Sequence, residues 1–378
     1  MNLLKSAIQY ELDAFYAQLQ GRVVPRREIT QSAFTQARRK LKYEAFVELN
    51  DRAVAAFYAD APIHRWHDYR LLAVDGSGLR LPDVAEVRQT FSHTPGDVPQ
   101  GRLVELYDVL NQIVLGAEFS DEEIGEGFHA ECLLARAEKG DLVLYDRGFA
   151  AFYLMARHRQ KGVDFCMRTP LARFKKVAEF VRSGKREDWV SILPSAKAKQ
   201  DCLRNGLSIE PLRVRLVRVD LPDGEVEVLI TSLGKRIPAA EFAALYFKRW
   251  GIEEAYKQQK CRAELENFSG KTVQSVYQDI YAKLLTLNLA AMCAFATEEQ
   301  AQERTAHRQL DYKINRAKTL AKVKHHLICA VLNMKDRLQS LLNWIAQDVE
   351  AVRPGRKFKR HSPGNKKPGF HQSYKQVA

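Results

Sequence analysis

The sequence predicts an α/β protein built around a mixed β-sheet, with helical regions before and after it in the chain. Three observations predict this class. Short apolar runs alternate with helical patterns from about residue 70 to 170, a strongly alternating pattern flanks a Pro-Asp-Gly turn near residue 222, and apolar residues recur every three or four positions before residue 65. A chain of 378 residues can form two or three domains, or one large domain with insertions.

The first 65 residues are predicted to be helical. In "ITQSAFTQARRKLKYEAFVELNDRAVAAFYAD" apolar residues recur at helical spacing, and basic residues that include Arg38 and Arg39 cluster within it. The region shows no helix-turn-helix glycine turn, so two interpretations stay open: it contacts DNA, or it presents a solvated basic face. We assign residues 1–65 to a helical DNA-binding region, with Arg38 and Arg39 as candidate contacts.

The sheet begins near residue 70. "RLLAVDGSGLRLP" is a short apolar run that ends at Asp75, and "RLVELYDVLNQIVLGAEFS" predicts two strands with a tight connection. "EGFHAECLLARAEKG" predicts a helix that stops at Gly140, and "DLVLYDRGFA" a buried strand that ends at Asp146. A further helix and strand follow in "AFYLMARHRQKG" and "VDFCMRTP", so antiparallel strands come first and parallel ones later.

The remaining chain is predicted to be a β-rich insertion followed by helices. The insertion covers about residues 171–236, and a helix then runs through "YFKRWGIEEAYKQQK", Tyr246 to Lys260. Further helices extend to residue 348. The last 26 residues hold eight Lys or Arg and no acidic residue, a composition that does not bury enough apolar surface to fold alone. We expect a basic flexible tail over residues 349–378.

Composition narrows the function classes. The chain has 59 Lys and Arg against 46 Asp and Glu, a net charge of +13, which favours a polyanionic partner such as nucleic acid without excluding a merely basic protein. The six cysteines show no C-x-x-C spacing, which favours reduced thiols over disulfides or zinc. No apolar run approaches 18 residues, so we expect no membrane span, no membrane partner and a cytoplasmic location.

Two aspartates share one context. Asp75 and Asp146 each follow an apolar strand and precede small residues, at the edge where α/β sheets bind ligands. Either one alone is better explained as a turn former. Together with a glutamate on a later helix, they form a set of three carboxylates that two Mg²⁺ ions could share during phosphoryl transfer.

The helix after the insertion supplies that glutamate. At about 100° per residue, Tyr246, Arg249, Glu253 and Lys260 fall within roughly one sixth of the helix circumference, whereas Glu254 lies off this stripe. The stripe extends over roughly 21 Å, too long for one small ligand but suited to an extended polyanion. A simple ion pair of Glu253 with Lys257 would explain only those two residues.

These residues carry a family resemblance. The spacing Y-x2-R-x3-E-x6-K, together with "VDGSGLRLP" and "LYDRGF", resembles the DDE transposases of the insertion sequence 4 family over about residues 30–300. The resemblance implies a ribonuclease-H-like catalytic domain at residues 66–265, interrupted by the β-rich insertion and followed by C-terminal helices at 266–348. It implies Asp75, Asp146 and Glu253 as catalytic and metal-binding residues for two Mg²⁺ ions, with Mn²⁺ as a substitute.

The resemblance also implies the partners. Tyr246, Arg249 and Lys260 would bind DNA phosphates, with Lys257 either a further phosphate contact or the ion-pair partner of Glu253. The protein would bind the terminal inverted repeats of a transposon and the target DNA as a homodimer on paired ends, within the bacterial nucleoid. It would cleave and transfer DNA strands in cut-and-paste transposition. A related nuclease without strand transfer and a non-catalytic DNA-binding repressor are the alternatives.

Overall fold

The computed structural model describes residues 7–92, 98–221, 224–331 and 335–353. The chain divides into two compact units. The first, here named the helical unit, comprises Met1–Asp60, Leu79–Gly101 and Lys257–Ala378; the second, the sheet unit, comprises Ala61–Gly78 and Arg102–Tyr256.

One eight-stranded sheet dominates the fold. Its strands are β1 (Arg70–Arg80), β2 (Gln100–Asp108), β3 (Ile113–Asp121), β4 (Asp141–Tyr145), β5 (Asp164–Thr169), β6 (Glu187–Ile192), β7 (Leu212–Asp220) and β8 (Val226–Thr231), in the order β3-β2-β1-β4-β5-β8-β7-β6. Strands β1, β4 and β5 are parallel, whereas β8 pairs antiparallel with β5 and β7, and β7 with β6. The predicted α/β class with a mixed sheet is confirmed.

The central parallel strands are buried on both faces. All five residues of β4 are buried, and Leu71 to Val74 of β1 are fully inaccessible. Such continuous apolar runs are typical of parallel strands covered by helices. The strands of the predicted insertion, β6 to β8, continue this same sheet rather than forming a separate one.

The sheet unit carries helices α5 (Glu126–Leu134), α6 (Phe152–Lys161), α7 (Lys175–Arg182), α8 (Ala196–Arg204) and α9 (Phe242–Phe247), and the first half of α10 (Trp250–Arg262), up to Tyr256. Helix α6 ends at Gly162, whose φ of 68° permits the left-handed C-cap. The prediction that Gly140 stops α5 was wrong. The helix ends at Leu134, and Gly140, at φ 97°, instead forms the turn into β4, where its carbonyl accepts from the Arg70 N–H.

The helical unit contains α1 (Ile8–Leu19), α2 (Gln31–Arg38), α3 (Glu44–Asp60), α4 (Ala85–Phe91), α11 (Val273–Phe295), α12 (Glu298–Thr305), α13 (Arg316–Val331) and α14 (Lys335–Ile345). Helix α11 packs against α3 and α13. The small strands β9 (Tyr312–Ile314) and β10 (Val349–Ala351) pair antiparallel. Helix α4 is absent from the sequence prediction.

Other predicted boundaries also shift. Strand β1 continues five residues past Asp75 to Arg80, beyond the part paired with β4, and its other hydrogen-bonded neighbour in the sheet is β2. Residues 349–351 are not part of a tail: they form β10, since Val349 pairs with Ile314 and packs on an apolar cluster of the helical unit. Residues 352 and 353 of the predicted tail are exposed, and its remainder, residues 354–378, lies outside the described residues.

Among the described residues, no single helix has the length and apolar character of a membrane span. The bent pair α11 and α12 meets that test only when the two helices are taken together.

Candidate active site

Strand register brings the two predicted aspartates side by side. Val74 of β1 pairs with Tyr145 of β4, so Asp75 and Asp146 are the next residues of two neighbouring parallel strands. Neighbouring strands lie about 4.8 Å apart, and residues in register point to the same face. Two residues separated by 71 positions in the sequence therefore lie at one edge of the β1–β4 pair.

Asp75 is largely enclosed. Its Oδ1 accepts from the Gly76 N–H at 2.9 Å, and its carbonyl accepts from the Tyr256 hydroxyl at 2.7 Å. Burial raises the pKa of Asp75 from 3.8 to about 6; the Gly76 N–H and Arg249 oppose this rise, and the carboxylates of Glu253 and Glu126 add to it. A carboxylate in this setting gains from a nearby cation.

Asp146 directly follows β4 and begins a short 3-10 turn. The Tyr246 hydroxyl lies 3.3 Å from both Asp146 Oδ1 and the Tyr145 carbonyl, and burial raises the pKa of Tyr246 well above its usual range. On the other side, Arg168 Nε of β5 lies 3.8 Å from Asp146 Oδ1. Asp146 is therefore held between a phenol and a guanidinium.

The helix predicted from Tyr246 to Lys260 is interrupted. Tyr246 lies in the last turn of α9, Arg249 lies in a connecting turn, and Glu253 lies in the first turn of α10. The turn is tightened by hydrogen bonds between residues three apart, including Arg249 N–H to the Tyr246 carbonyl at 3.0 Å and Ile252 N–H to the Arg249 carbonyl at 3.1 Å. The prediction of a single unbroken helix over this stretch was therefore wrong. The spacing still brings the side chains of Tyr246, Arg249 and Glu253 to the aspartates.

Arg249 links the carboxylates. Its Nη2 lies 2.7 Å from Glu253 Oε1 and its Nη1 lies 3.8 Å from Asp75 Oδ2. The guanidinium also lies over the rings of Tyr246 and Trp250, at 5.6 and 5.7 Å from their centroids. The residue is only 4% exposed, yet its Nε has no hydrogen-bond partner among the described residues. A buried donor left over in this way is costly unless a ligand completes it.

The donor chemistry of the site suits a hard divalent cation. Asp75, Asp146 and Glu253 supply only carboxylate oxygens, the ligands that Mg²⁺ prefers. Across the described part of the chain, however, three or more such side chains do not converge closely enough to ligate one ion. Arg249 pairs with two of the three, Glu253 and Asp75, and offsets part of their negative charge.

Two further side chains at this site went unpredicted. Arg168 is in register with Asp146, because Tyr145 pairs with Met167, and its Nη1 also donates to Glu227. Glu126, the first residue of α5, lies against Gly76 and contributes to the raised pKa of Asp75. The strand register could have indicated Arg168. For Glu126 the only signal in the sequence is its position at the start of a predicted helix, which does not indicate a role at the active site.

The other predicted contacts belong to the helical unit. Lys257 is exposed, and Lys260 Nζ lies 4.0 Å from Glu266 Oε1. The ion pair that the sequence offered between Glu253 and Lys257 is instead one between Glu253 and Arg249 of the sheet unit. Arg39 is exposed, but Arg38 binds protein groups: it donates to Gln278, Ser269, the Ser275 carbonyl and Asp279. All three of its guanidinium nitrogens are engaged by protein groups, so we do not propose Arg38 as a DNA contact.

Comparisons with known proteins agree with these features. Residues 66–289 match the family model described as the transposase DDE domain. The chain is 28% identical over 270 residues to the transposase InsG for insertion sequence element IS4 of Escherichia coli (strain K12), covering 69% of this chain and 60% of that protein. A piggyBac transposase in a synaptic complex with hairpin DNA aligns with a TM-score of 0.40 and 7% identity over 74% of this chain and 53% of that one, a similarity too low to carry an argument.

The matched region contains Asp75, Asp146, Glu253 and the whole eight-stranded sheet, and it covers more than half of the chain. The resemblance found in the sequence motifs is thereby confirmed. This chain belongs to the transposase DDE domain family.

Proposed function

We propose that this protein is a DNA transposase that binds transposon ends and catalyses phosphodiester cleavage and strand transfer. The observation that carries the proposal is the pairing of β1 with β4, which sets Asp75 and Asp146 side by side, with Glu253 joined to Asp75 through Arg249. The chain spans 60% of the length of the relative it matches, so the complete reaction is part of the proposal.

Asp75, Asp146 and Glu253 would hold Mg²⁺, as two ions, with Mn²⁺ as a substitute. DDE transposase domains generally use divalent ions. When bound, such ions stabilise the negative charge that develops on the phosphate during in-line displacement. The Asp75 side chain is 22% exposed, and this partial burial lowers the local dielectric and strengthens the attraction of the carboxylate for a cation.

The surrounding side chains would orient the DNA. Arg249 has an unpartnered Nε and a guanidinium already supported by two aromatic rings, and a guanidinium binds phosphate through two parallel hydrogen bonds. Tyr246 holds Asp146 in place through its hydroxyl. We assign the strand-end phosphates to Arg249 and Tyr246, and other DNA phosphates to Lys257, Lys260 and Arg39.

A basic chain with net charge +13 is suited to double-stranded DNA at both the terminal inverted repeats and the target. Homodimerisation on paired ends, and action on the bacterial nucleoid, belong to the same proposal. They rest on the family resemblance alone.

The test uses the full chain with DNA that carries the inverted repeats flanking its own gene. Wild-type protein is expected to nick at the repeat boundary in Mg²⁺ and to join the freed 3′ end to a second DNA. Asp75→Asn is expected to lower both steps at least about a hundredfold, since removal of one charged metal ligand costs several kcal/mol. Nicking without joining would instead identify a nuclease, and sequence-specific binding with neither step would identify a repressor.

A further inference from the structure

Glu126 has an unusual position. It is the first residue of α5, and its carboxylate lies against the backbone of Gly76, the residue after Asp75. A methyl group at Gly76 would meet Glu126 Oε1 at 2.6 Å and Cδ at 2.9 Å. The approach of the Glu126 carboxylate therefore depends on the missing side chain at position 76.

Arg102 holds the segment that carries Glu126. Its Nη1 donates to the Glu122 carbonyl at 2.9 Å and to the Ile124 carbonyl at 3.2 Å, and its Nε lies 3.5 Å from Glu126 Oε1. The Glu126 side chain remains 39% exposed. The carboxylate is thus fixed in direction by protein groups while one side stays open to solvent.

The helix dipole gives a simpler reason for an acid at this position, because carboxylates in the first turn stabilise a helix. That reason requires only a nearby negative charge at the end of α5. It does not require the carboxylate to contact Gly76. The Gly76 N–H donates to Asp75 Oδ1, so this contact places Glu126 next to Asp75.

We propose that Glu126 is a fourth carboxylate of the active site, a positioning residue that draws a divalent cation towards Asp75 from the Gly76 side. The inference rests on the proposed function, since it assumes that Asp75 holds that cation. Arg102 balances part of the charge of Glu126. Glu126 differs from the three predicted carboxylates in lying on a helix that precedes β4.

Mn²⁺ binding to the full chain tests this directly, by electron paramagnetic resonance with and without repeat-end DNA. Glu126→Gln is expected to weaken binding about three- to tenfold, as one charge removed at several ångströms from a divalent ion predicts. The matched control is Glu123→Gln, an exposed glutamate three residues earlier, which should leave binding within about twofold. DNA affinity in EDTA should be unchanged in both variants.

A double-mutant cycle separates position from charge. Gly76→Ala keeps the Glu126 charge but pushes the carboxylate away, so it is expected to weaken Mn²⁺ binding in the wild-type background. In a Glu126→Ala background the same change should have little further effect, because coupled residues are not additive. An equal effect in both backgrounds would overturn the inference, as would unchanged binding in Glu126→Gln.

The measurements distinguish a failure of the proposed function from a failure of the inference about Glu126. If no Mn²⁺ site depends on Asp75, with or without DNA, both the function and the inference are wrong. If Asp75→Asn abolishes the site while Glu126→Gln matches wild type, only the inference is wrong. Circular dichroism and thermal unfolding of each variant establish that it is folded before its binding is compared.

Discussion

Arg249 Nη2 lies 2.7 Å from Glu253 Oε1, and the same guanidinium reaches Asp75 Oδ2 at 3.8 Å. One buried guanidinium therefore pairs with two carboxylates that the proposed reaction needs for a cation, and it offsets part of their negative charge. The unpartnered Nε of Arg249 indicates that this arrangement does not satisfy the guanidinium fully. A DNA phosphate would offer a better acceptor and would release the carboxylates.

Arg249→Gln is expected to have opposite effects on two ligands. Removing the competing positive charge should tighten Mn²⁺ binding in the absence of DNA by about three- to tenfold, whereas losing a phosphate contact should weaken binding to repeat-end DNA. Calorimetric titration with Mn²⁺ and fluorescence anisotropy with labelled DNA measure the two affinities. Weaker Mn²⁺ binding in the variant would show that Arg249 supports the cation site rather than competing for it.

Glu253→Gln and Glu254→Gln test which of these two adjacent glutamates is the catalytic carboxylate. Glu253 bonds with Arg249, whereas Glu254 is exposed on another side of α10. Glu253→Gln should lower strand cleavage at least about a hundredfold, as loss of a charged metal ligand predicts, and Glu254→Gln should remain within about twofold of wild type. Cleavage of labelled repeat-end DNA in Mg²⁺ provides the measurement. The reverse ranking would move the catalytic assignment to Glu254.

Asp75 should make the protein less stable as pH rises. Its pKa is about 6 in the folded protein, chiefly through burial, against an ordinary value of 3.8. The folded state therefore binds more protons between these values, so the free energy of unfolding should fall as pH rises through about 4 to 6. Asp75→Asn should remove this dependence and raise the free energy of unfolding at pH 7.5 by about 1–3 kcal/mol.

Urea unfolding between pH 4 and 8, without divalent ions, measures this effect. Asp220→Asn, at an exposed position at the end of β7, is the control and should follow the wild-type curve. Parallel pH curves for wild type and Asp75→Asn would contradict the raised pKa.

Arg38 and Arg39 are adjacent but should respond differently to substitution. Arg38→Gln leaves Asp279, whose side chain is 1% exposed, without its cation, and breaking such a buried pair costs about 3 kcal/mol. Arg39→Gln should leave stability within about 0.5 kcal/mol, as for other surface positions, and should reduce the salt dependence of DNA binding. Urea unfolding and salt-dependent DNA titration distinguish the two. Equal stability of the two variants would contradict the structural role of Arg38.

Local patterns allowed part of this site to be predicted. The spacing of Tyr246, Arg249 and Glu253 depends on a few neighbouring residues, and so do the apolar runs that precede Asp75 and Asp146. Helical periodicity and strand composition act over such short distances. The break after α9 escaped prediction because 3-10 and α-helical turns place residues three apart in similar positions.

Long-range contacts explain the rest. The role of Arg38 depends on residues about 240 positions away in α11, and Glu126 approaches Gly76 only once the fold has brought the start of α5 to β1. Nothing in the local sequence separates Arg38, a buried ion-pair partner, from its exposed neighbour Arg39. Tertiary packing decides such roles, and a single sequence does not display it.

The pairing of Val74 with Tyr145 has a consequence for how the chain can misfold. Successive side chains of a strand point to opposite faces, so a slip of one residue between β1 and β4 would place Asp75 and Asp146 on opposite sides of the sheet. Such a chain could keep most of its hydrogen bonds and its helices, yet its two aspartates could no longer share a ligand.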